Sequence, residues 1–499
     1  MAYIGKGLES NTNRKRFIFT ATAGQTSFSG TDDSSLTLGY DDTLYMDVYQ
    51  NGVLLVPATD YAATTGTSVV LVQGASVDDT VEMVVYDVVS VGDTVSASGG
   101  GTFSGGVSFV GDISSSTLGT SNFRSGVNAG NSIVSGGNYN TVVGDEAGTA
   151  LTTGDTNVAV GYGALSTEDT ASRSTAVGYR TLLTQNAGDV NTFNVAIGYE
   201  AGFGMTTGVE NTLMGGAAGD ALTDADYNVA IGRGALSDDT LGSQSVAMGY
   251  LALNVQNFTT ATNTYNTAIG SKAGLNVTTA VNSTFVGGLA GDAVTTGSNN
   301  TAFGKSALTA MTTGDSNVAI GINALGSDTN GRRSVAIGVG ALDTANLTTA
   351  TNAYNVAVGY DAGTAVTTGV QNTLIGSLAG DALTDADYNT VIGVSALGAD
   401  TLGSKSTAIG YATLQTQNFT TATDTFNTAV GYEAGAAVTT GIDNTLIGGL
   451  AGDAITDADY NVAVGKSSLG TNTVGSHSVA VGRNALFTQN PSTATDMYN

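Results

Sequence analysis

The amino-acid sequence predicts an all-β protein, in which a small N-terminal antiparallel β domain precedes a long parallel β-roll or β-solenoid. Three observations carry this prediction. A five-residue unit recurs through most of the chain, 70 of the 499 residues are glycine, and only two are proline. No long window shows the 3.6-residue apolar period of a helix. A short period that is sustained this long is typical of a repeat architecture.

The polar N-terminal tail (1–15) leads into the one compact basic cluster of the sequence, Arg14, Lys15 and Arg16. One interpretation is a solvated tail. The other is a contact with an acidic partner surface, which would anchor the protein. No apolar segment long enough for a signal peptide or a membrane span follows the start, so we predict no membrane insertion.

Residues 16–90 are predicted to form the antiparallel β domain. The alternating segment 17–20 is a first strand, and the segments 44–49 and 53–56 flank an Asn-Gly pair, which is a strong hairpin signal. The length suits a compact sandwich or barrel. Residues 91–138 are rich in glycine and serine, which predicts a linker or neck, and residues 131–136 are a candidate for a degenerate first rung.

Residues 139–499 carry twenty copies of the pentapeptide, of which Asn157-Val158-Ala159-Val160-Gly161 is one. Position one is Asn or Ser, position two Thr or Val, position three mostly Ala, position four a larger apolar residue, and position five Gly. This run predicts a short strand closed by a turn. The glycine suits a positive φ or a close backbone approach, and the Asn or Ser suits a turn or a ladder between rungs.

The copies are mostly 17 residues apart, with steps of 20 or 21 at four places. Three rungs of 17 and one of 21 make a 72-residue super-repeat, and the stretch from Gly270 to Gly359 holds one extra rung. This pattern indicates duplication of a block, followed by insertion of a rung. One rung per strand spacing of about 4.8 Å gives a shaft of roughly 95 Å.

The two faces of the predicted strand are both apolar. Positions two and four lie on one face and position three on the other, and a strand that is apolar on both faces is usually covered on both. We expect the thin core of a rung to cover one face. We expect a neighbouring chain to cover the alanine face, because alanine allows close approach, and this predicts a homotrimer. A chain that folds back over its own alanine face is the alternative.

Composition excludes several classes of function. Lys plus Arg number 15 against 42 Asp plus Glu, for a formal net charge of −27, which argues against binding nucleic acid through its phosphates. Cysteine is absent and His477 is the single histidine, so neither a thiolate metal site nor a histidine-based catalytic triad can be assembled. We predict no enzymatic activity and no cofactor, with His477 an exposed turn residue.

Three acidic turns share the pattern Gly-Asp-Ala-x-Thr-Asp-Ala-Asp-Tyr, and clustered carboxylates could hold Ca²⁺. The turns lack the glycine and the terminal Glu of an EF-hand loop, so a solvated acidic turn is the competing interpretation. The candidates are Asp220, Asp224, Asp226, Asp381, Asp385, Asp387, Asp453, Asp457 and Asp459. The long rungs add Thr-rich inserts such as 257–265 and 418–426, interpreted either as loops that touch host glycans or as bulges that pack on a neighbouring rung or chain.

Two parts of the sequence resemble known families. The order Phe-x-Phe-x-Ala-x-x-Gly-Gln-Thr, Asp-Val-Tyr-Gln-Asn-Gly-Val-Leu-Leu and Asp-Tyr-Ala-Ala-Thr-x-Gly-x-x-Val-Val-Leu resembles the N-terminal virion-anchoring domains of tail fibres from short-tailed, especially marine, bacteriophages. The array resembles phage tail-fibre proteins with Asn-Thr-Ala-Ile-Gly repeats. More distantly, it is similar to the head repeats of trimeric autotransporter adhesins, which are parallel β-rolls assembled as trimers, although those repeats are shorter.

The resemblance implies a bacteriophage tail fibre, a structural protein located on the virion and assembled in the host cytoplasm. Its implied partners are further copies of itself, a virion tail or connector protein at the N-terminal region, and a host surface glycan or protein at the distal part. A trimeric cell-surface adhesin and a fibre-borne polysaccharide depolymerase are the alternatives. Because the array stops within a repeat at Asn499, we expect a C-terminal tip beyond this sequence.

Overall fold

The structure is a computed structural model that describes residues 14–86 and 119–499, which fall into two compact units. Within these ranges the regular elements are strands, apart from a single 3₁₀ turn at Thr43–Tyr45. The predicted all-β class, with an antiparallel domain before a parallel solenoid, is confirmed. Most of the predicted tail (1–13) and most of the glycine-rich segment (87–118) lie outside the described residues.

The N-terminal unit is a sandwich of two antiparallel sheets. One sheet has the order β1-β7-β3-β4 and the other has the order β2-β6-β5. Side chains from both sheets share one core, in which the rings of Phe19 and Phe28 meet edge to face at 5.9 Å. The strands are β1 (Lys15–Thr20), β2 (Gln25–Ser29), β3 (Met46–Gln50), β4 (Val53–Leu54), β5 (Tyr61–Ala62), β6 (Ser68–Ala75) and β7 (Thr80–Val85).

The predicted Asn-Gly hairpin joins β3 to β4. Asn51 has a φ of 47° and Gly52 a φ of 80°, and Gln50 pairs with Val53 across the turn. Two consecutive positive φ values are what a two-residue type I′ turn requires, because its twist matches that of the flanking strands. The hairpin prediction is confirmed.

The second unit is a parallel β-solenoid in which each rung contributes one three-residue strand to a continuous ladder. The ladder strands are Phe123–Ser125, Thr141–Val143, Val158–Val160, Thr175–Val177, Val195–Ile197, Thr212–Met214, Val229–Ile231, Val246–Met248, Thr267–Ile269, Thr284–Val286, Thr301–Phe303, Val318–Ile320, Val335–Ile337, Val356–Val358, Thr373–Ile375, Thr390–Ile392, Thr407–Ile409, Thr428–Val430, Thr445–Ile447, Val462–Val464 and Val479–Val481.

The strands are positions two to four of the pentapeptide, paired position by position with the next rung, as Ala159 is with Ala176. The first ladder strand, Phe123–Ser125, pairs in parallel with Thr141–Val143. The solenoid therefore begins before residue 139, inside the segment that we interpreted as a linker. The candidate rung at 131–136 lies in the turn that follows this first strand, because its sequence lacks a run of β-branched residues.

The pentapeptide glycine serves both of the predicted purposes. Gly161 has a φ of +133°, which residues with a side chain rarely adopt. A Cβ added there would lie 2.2 Å from the carbonyl oxygen of Gly178 on the next rung. The glycines thus stack directly on one another along the solenoid.

Position one forms a buried ladder between rungs. The backbone N–H of Asn157 donates to Asn140 Oδ1 at 2.8 Å, and Asn157 Oδ1 accepts from the backbone N–H of Ser174 at 2.9 Å. Asn157 Nδ2 donates to the carbonyl of Ala171 at 2.9 Å. Because buried polar groups are costly when unpaired, this ladder explains why an amide occupies a fully buried position. Of the two interpretations of position one, the ladder is confirmed.

The alanine face is covered by the same chain, and our expectation that a neighbouring chain covers it was wrong. Ala159 at position three is 0% exposed and packs in one core with Ala164 and Leu165 of the following turn. A rung of 17 residues encloses little space, so a small residue on the strand leaves room for the leucine of the turn. The fold-back alternative is the one observed.

The three 21-residue rungs and the stretch after Gly482 each form a second, two-residue parallel pair beside the main ladder, whereas the 20-residue rung forms a single bridge. Their inserts turn back onto the preceding rung of the same chain. The pairs are Gly242–Ser243 with Thr262–Asn263, Gly331–Arg332 with Thr351–Asn352, Gly403–Ser404 with Thr423–Asp424, and Gly475–Ser476 with Thr495–Asp496.

Candidate functional site

The outer face of the ladder, defined as positions two and four of the twenty repeats, points away from the core. Position two is half-buried in nearly every strand, and position four is often more exposed. Ile269 is 40% exposed and Phe303 is 56% exposed. The outer face is therefore the side of the ladder that the chain itself leaves uncovered, since the solenoid already encloses the alanines.

No charged residue occupies the outer face in any of the twenty repeats, because position two is Thr or Val and position four is Val, Ile, Met or Phe. The chain nevertheless carries a net charge of −27. Within the array the acidic residues therefore lie outside the ladder strands, and the ladder presents a continuous uncharged strip.

Aromatic rings stack along part of one edge of the outer face, at the residue that follows the pentapeptide glycine. Tyr162, Tyr179 and Tyr199 lie on successive rungs with ring centroids 5.4 and 5.2 Å apart. The guanidinium of Arg180 lies 5.9 Å from the Tyr179 ring and 4.6 Å from the Phe203 ring. Such contacts stabilise a rung against its neighbour.

The acidic turns predicted as calcium candidates form hydrogen bonds to adjacent rungs. Asp224 accepts from the hydroxyl of Thr207 at 2.6 Å, and Asp226 accepts from the backbone N–H of Val209 at 2.8 Å. Asp385 and Asp387 repeat this arrangement, while Asp459 accepts from the backbone of Ile442 at 2.8 Å.

The first aspartate of each turn is partly buried, and burial raises the pKa of its carboxyl group. These aspartates are Asp220, Asp381 and Asp453. Ser237 donates to Asp220 at 2.8 Å. Across residues 14–86 and 119–499, no group of three or more acidic or histidine side chains has the spacing of a metal site. Most of the candidate aspartates join rungs, whereas Asp453 Oδ1 is buried without a hydrogen-bond partner among the described residues. Calcium binding stays a prediction.

The basic cluster at the N-terminus is partly engaged within the sandwich. Lys15 and Arg16 belong to β1, and the Arg16 guanidinium forms a bidentate ion pair with Glu82 on β7, with one contact of 2.7 Å. This pairing lowers the pKa of Glu82. Arg14 is exposed at the start of the described range. The cluster is thus a strand end rather than a free tail.

His477 is a turn residue, as predicted, but it is only half-buried rather than fully exposed. Its ring stacks between Tyr460 and Tyr498, at 4.9 and 5.2 Å, and its Nδ1 lies 3.0 Å from Asp496 Oδ1. His477 stands one residue before position one of its repeat, as Tyr460 does in the preceding repeat.

Of the two interpretations of the Thr-rich inserts, packing on a neighbouring rung is observed, and contact with host glycans stays a prediction. In the insert 257–265, Phe258 is buried against its own chain, with its backbone N–H donating to Asp239 Oδ1 at 3.0 Å. The residues 259–261 at the tip are exposed. The insert is a bulge packed on a neighbouring rung, and its tip is open to solvent.

The sequence analysis did not predict one feature: a buried carboxylate that is hydrogen-bonded to a glutamine on the next rung. The glutamine Nε2 donates to the carboxylate, as Gln256 does to Asp239 Oδ2 at 2.5 Å. The same Nε2 lies 2.9 Å from Ser245 Oγ, and Gln256 Oε1 accepts from Asn266 Nδ2 at 2.9 Å. The other pairs are Glu168 with Gln185 and Asp400 with Gln417. The constant spacing of 17 residues between acid and glutamine was the available signal.

Asp328 occupies the same place but has no glutamine, because Ala345 stands at that position. Its Oδ1 accepts from the backbone N–H of Gly331 at 3.0 Å and of Leu347 at 3.1 Å, as Asp239 Oδ1 does from the matching residues. Its Oδ2 is buried and has no hydrogen-bond partner among the described residues. Burial raises the pKa of Asp328, although the backbone donors act in the opposite direction.

We expect Asp328→Asn to stabilise its rung at neutral pH. Since the folded-state pKa is raised, the stability that Asp328 contributes is full below its ordinary pKa of about 3.9 and is lost as pH rises through the raised value. An unpaired buried polar group costs about 1–3 kcal/mol, so the variant should gain about this much at pH 7 and little near pH 4. Hydrogen exchange of amides 318–337 measures this local opening free energy.

The matched control for this prediction is Asp400→Asn. Asp400 Oδ2 accepts from Gln417 Nε2 at 2.6 Å. An asparagine at this position would place its amide N–H group against Gln417 Nε2, so that two hydrogen-bond donors would face each other. That substitution should destabilise its rung at pH 7. Equal hydrogen exchange of wild type and Asp328→Asn at pH 7 would contradict the assignment of Asp328 as a destabilising carboxylate.

The fold and the exposed strip together define a class of protein: a single-strand parallel β-solenoid preceded by an antiparallel β-sandwich. No protein-family model matches the chain, and no curated protein or solved structure matches it either. Over the residues that the structure describes, no helix has the length and apolar character needed to cross a membrane.

Proposed function

We propose that the chain is the structural fibre of a bacteriophage virion, a tail fibre whose shaft is a homotrimer of β-solenoids. The repeat architecture is compatible with this role, because each rung stacks on its neighbours and the ladder extends by repetition. The resemblance of the N-terminal segment and of the pentapeptide array to phage fibre proteins supports it further. In this proposal the N-terminal sandwich joins the tail or a connector protein.

The observation that carries the proposal is the uncharged outer face, in which position four is always apolar and position two is Thr or Val. A strip of twenty rungs, about 95 Å long and about 10 Å wide, covers on the order of 950 Å². A stable interface buries about 800 Å² per partner. The strip is thus large enough to be an interface.

A further copy of this chain fits the strip better than an unrelated partner does. The outer face repeats every rung, and only a partner with the same rung spacing can present matching side chains along its whole length. Two chains that each carry a net charge of −27 repel one another, and the uncharged strip is where they can approach at the lowest electrostatic cost. Three copies packed around a common axis would each cover their outer face.

The mechanical role follows from this assembly. A stiff shaft holds a distal binding region away from the particle, and several fibres acting together bind a host surface glycan or protein with high avidity. The exposed tips of the Thr-rich inserts, such as 259–261, project from the sides of each chain. They are secondary candidates for contact with that surface.

The test of the proposal is the mass of the purified chain, measured by light scattering after size exclusion. A mass near three chains supports the trimeric shaft. A mass of one chain at micromolar concentration contradicts the interface argument, because the outer face would then be stable in water.

We expect the double substitution Phe303→Asp and Ile320→Asp to abolish the assembly and to leave the solenoid intact. The two residues are paired neighbours on adjacent rungs, and their side chains point away from the core. A trimer would bury six added carboxylates, and each unpaired buried charge costs several kcal/mol. Light scattering should report a single chain, with a circular dichroism spectrum like that of the wild type.

The matched control is Thr313→Asp. Thr313 is exposed on a turn, in the same place of its rung at which Asp224 and Asp385 stand in theirs. It adds acidic charge without touching the outer face, so the assembly should persist. Loss of assembly in this variant would show that charge alone, rather than the outer face, controls association.

A further inference from the structure

Two columns of side chains border the outer face of the ladder. The leading column is the residue before position one of each repeat, and the trailing column is the residue after the pentapeptide glycine. Side chains of both columns reach solvent, since Tyr265 of the leading column is 56% exposed and Tyr199 of the trailing column is 58% exposed. Within one repeat the two columns are separated by about 20 Å of extended strand, which is too far for a direct contact.

The charges of the two columns are opposite in sign where the leading column is acidic. The acids of the leading column are Glu210 and Asp443, and the trailing column carries Arg233 and Lys466. None of these four side chains forms an ion pair with another residue that the structure describes. In a closed ring of parallel copies, the trailing column of one chain meets the leading column of the next, so the four charges can be paired between copies.

An offset of one rung pairs each acid with a cation. If each trailing residue meets the leading residue of the preceding rung in the next copy, Arg233 lies against Glu210 and Lys466 lies against Asp443. With the columns at equal height the acids would face glycines, and with the opposite offset they would face tyrosines. The glycines are Gly216 and Gly449, and the tyrosines are Tyr199 and Tyr432.

The cations of the leading column favour the same offset. Each of them then meets a tyrosine of the trailing column, which is a favourable partner for a cation. At equal height Arg333 would face Val339, and with the opposite offset it would face Ile322. The cation–tyrosine pairs at the favoured offset are Arg173 with Tyr199, Arg333 with Tyr360, and Lys405 with Tyr432.

The duplicated blocks of the array vary at both members of a pair together. Where Val394 stands in place of the trailing cation, Gln371 stands in place of the leading acid. Where Gln244 replaces a leading cation, Ser271 replaces its tyrosine. Positions that vary together are usually in contact. Because the two columns of one chain are too far apart, the contact that this variation indicates lies between copies.

We propose that copies of this chain associate side by side and in parallel, with each trailing residue against the leading residue of the preceding rung of the next copy. This inference rests on the proposed function, because it specifies the register of the fibre assembly. The ion pairs at Glu210 and Asp443 select that register. An offset of about 4.8 Å over about 20 Å of strand inclines the strand by about 14°, which is less than the angle of about 30° between packed sheets.

Cysteine cross-linking measures the register directly, because the chain has no cysteine of its own. Asp443→Cys combined with Lys466→Cys should give a three-chain product on a non-reducing gel after oxidation with diamide. A disulfide requires Cα atoms within about 7 Å, and these two positions meet that requirement only between copies. Asp443→Cys with Gly449→Cys reports equal heights, and Asp443→Cys with Tyr432→Cys reports the opposite offset. Both of these control pairs should remain uncross-linked.

Charge reversal provides a second measurement. Asp443→Lys places two lysines against each other at every contact between copies, and it should raise the concentration at which the assembly dissociates by about tenfold or more. Adding Lys466→Asp to that variant restores an ion pair of reversed polarity and should return the assembly to wild-type strength. A double variant as weak as Asp443→Lys would overturn the pairing of these two positions.

Light scattering on the same samples separates the two possible failures. If the chains assemble but a control pair cross-links, or no pair does, the one-rung offset is overturned while the fibre assembly stands. If the wild-type chain has the mass of one copy, the proposed assembly fails and the register fails with it.

Discussion

Gly287→Ala is expected to break the solenoid locally, with a loss of more than about 3 kcal/mol. Gly287 has a φ of +135°, and an added Cβ would lie 2.5 Å from the carbonyl oxygen of Gly304. A left-handed or more extreme φ costs a residue with a side chain about 1–3 kcal/mol. The clash adds to that cost, because the opposing backbone is fixed by the ladder on both of its sides.

The neighbouring glycine provides the control. A Cβ at Gly288 meets nothing within 4 Å, and its backbone is outside the positive-φ region. Gly288→Ala should therefore change stability little, and by restricting the unfolded chain it could even raise it by a few tenths of a kcal/mol. Urea unfolding and hydrogen exchange of the rungs around residue 287 distinguish the two variants. Similar stabilities for both would refute the stacking explanation of the pentapeptide glycine.

Asn317→Leu is expected to have the second-largest effect. Asn317 Oδ1 accepts from the backbone N–H of Ser334 at 3.0 Å, and Asn317 Nδ2 donates to the carbonyl of Gly331 at 2.8 Å. Leucine has a similar size but leaves both of these buried backbone groups without partners. Each unpaired group costs about 1–3 kcal/mol, so a loss of about 2–6 kcal/mol should appear in urea unfolding of the array.

Asn317→Ser is the milder comparison. Serine occupies position one in several repeats, and Ser283 Oγ accepts from the backbone N–H of Asn300 at 3.3 Å. A serine at 317 can keep one of the two contacts, so the loss should be clearly smaller than for leucine. If both variants were equally destabilised, the loss of the hydrogen bonds could not be its cause. The explanation of position one as a hydrogen-bond ladder would then be refuted.

The sequence predicted the ladder well because one pentapeptide dictates it. The spacing of Gly161 and its nineteen equivalents set the rung length, and the β-branched second position indicated a strand. The side of the strand that faces the core could not be predicted in this way. Period-two geometry separates Ala159 from Val158 and Val160, but both faces are apolar, and only the packing of Leu165 from the turn decides which one is enclosed.

The candidate sites show the same limit. The first rung at Phe123–Ser125 escaped detection because Arg124 and Ser125 depart from the apolar pattern, and its pairing with the next strand is what identifies it. Asp328 is one more acidic residue in the sequence. Its buried and unpaired state depends on an alanine 17 residues away, and the consequence of that substitution emerges only when rungs are stacked.

The stacking of rungs also determines how the solenoid responds to force. The chain winds around the axis, so the hydrogen bonds of the ladder, rather than the covalent backbone, run along the shaft. Tension applied along the axis would detach rungs one after another from an end. Each rung of about 17 residues releases roughly 50 Å of extended chain, so a single solenoid would lengthen gradually and absorb energy before it fails. Lateral assembly of several chains would share that load.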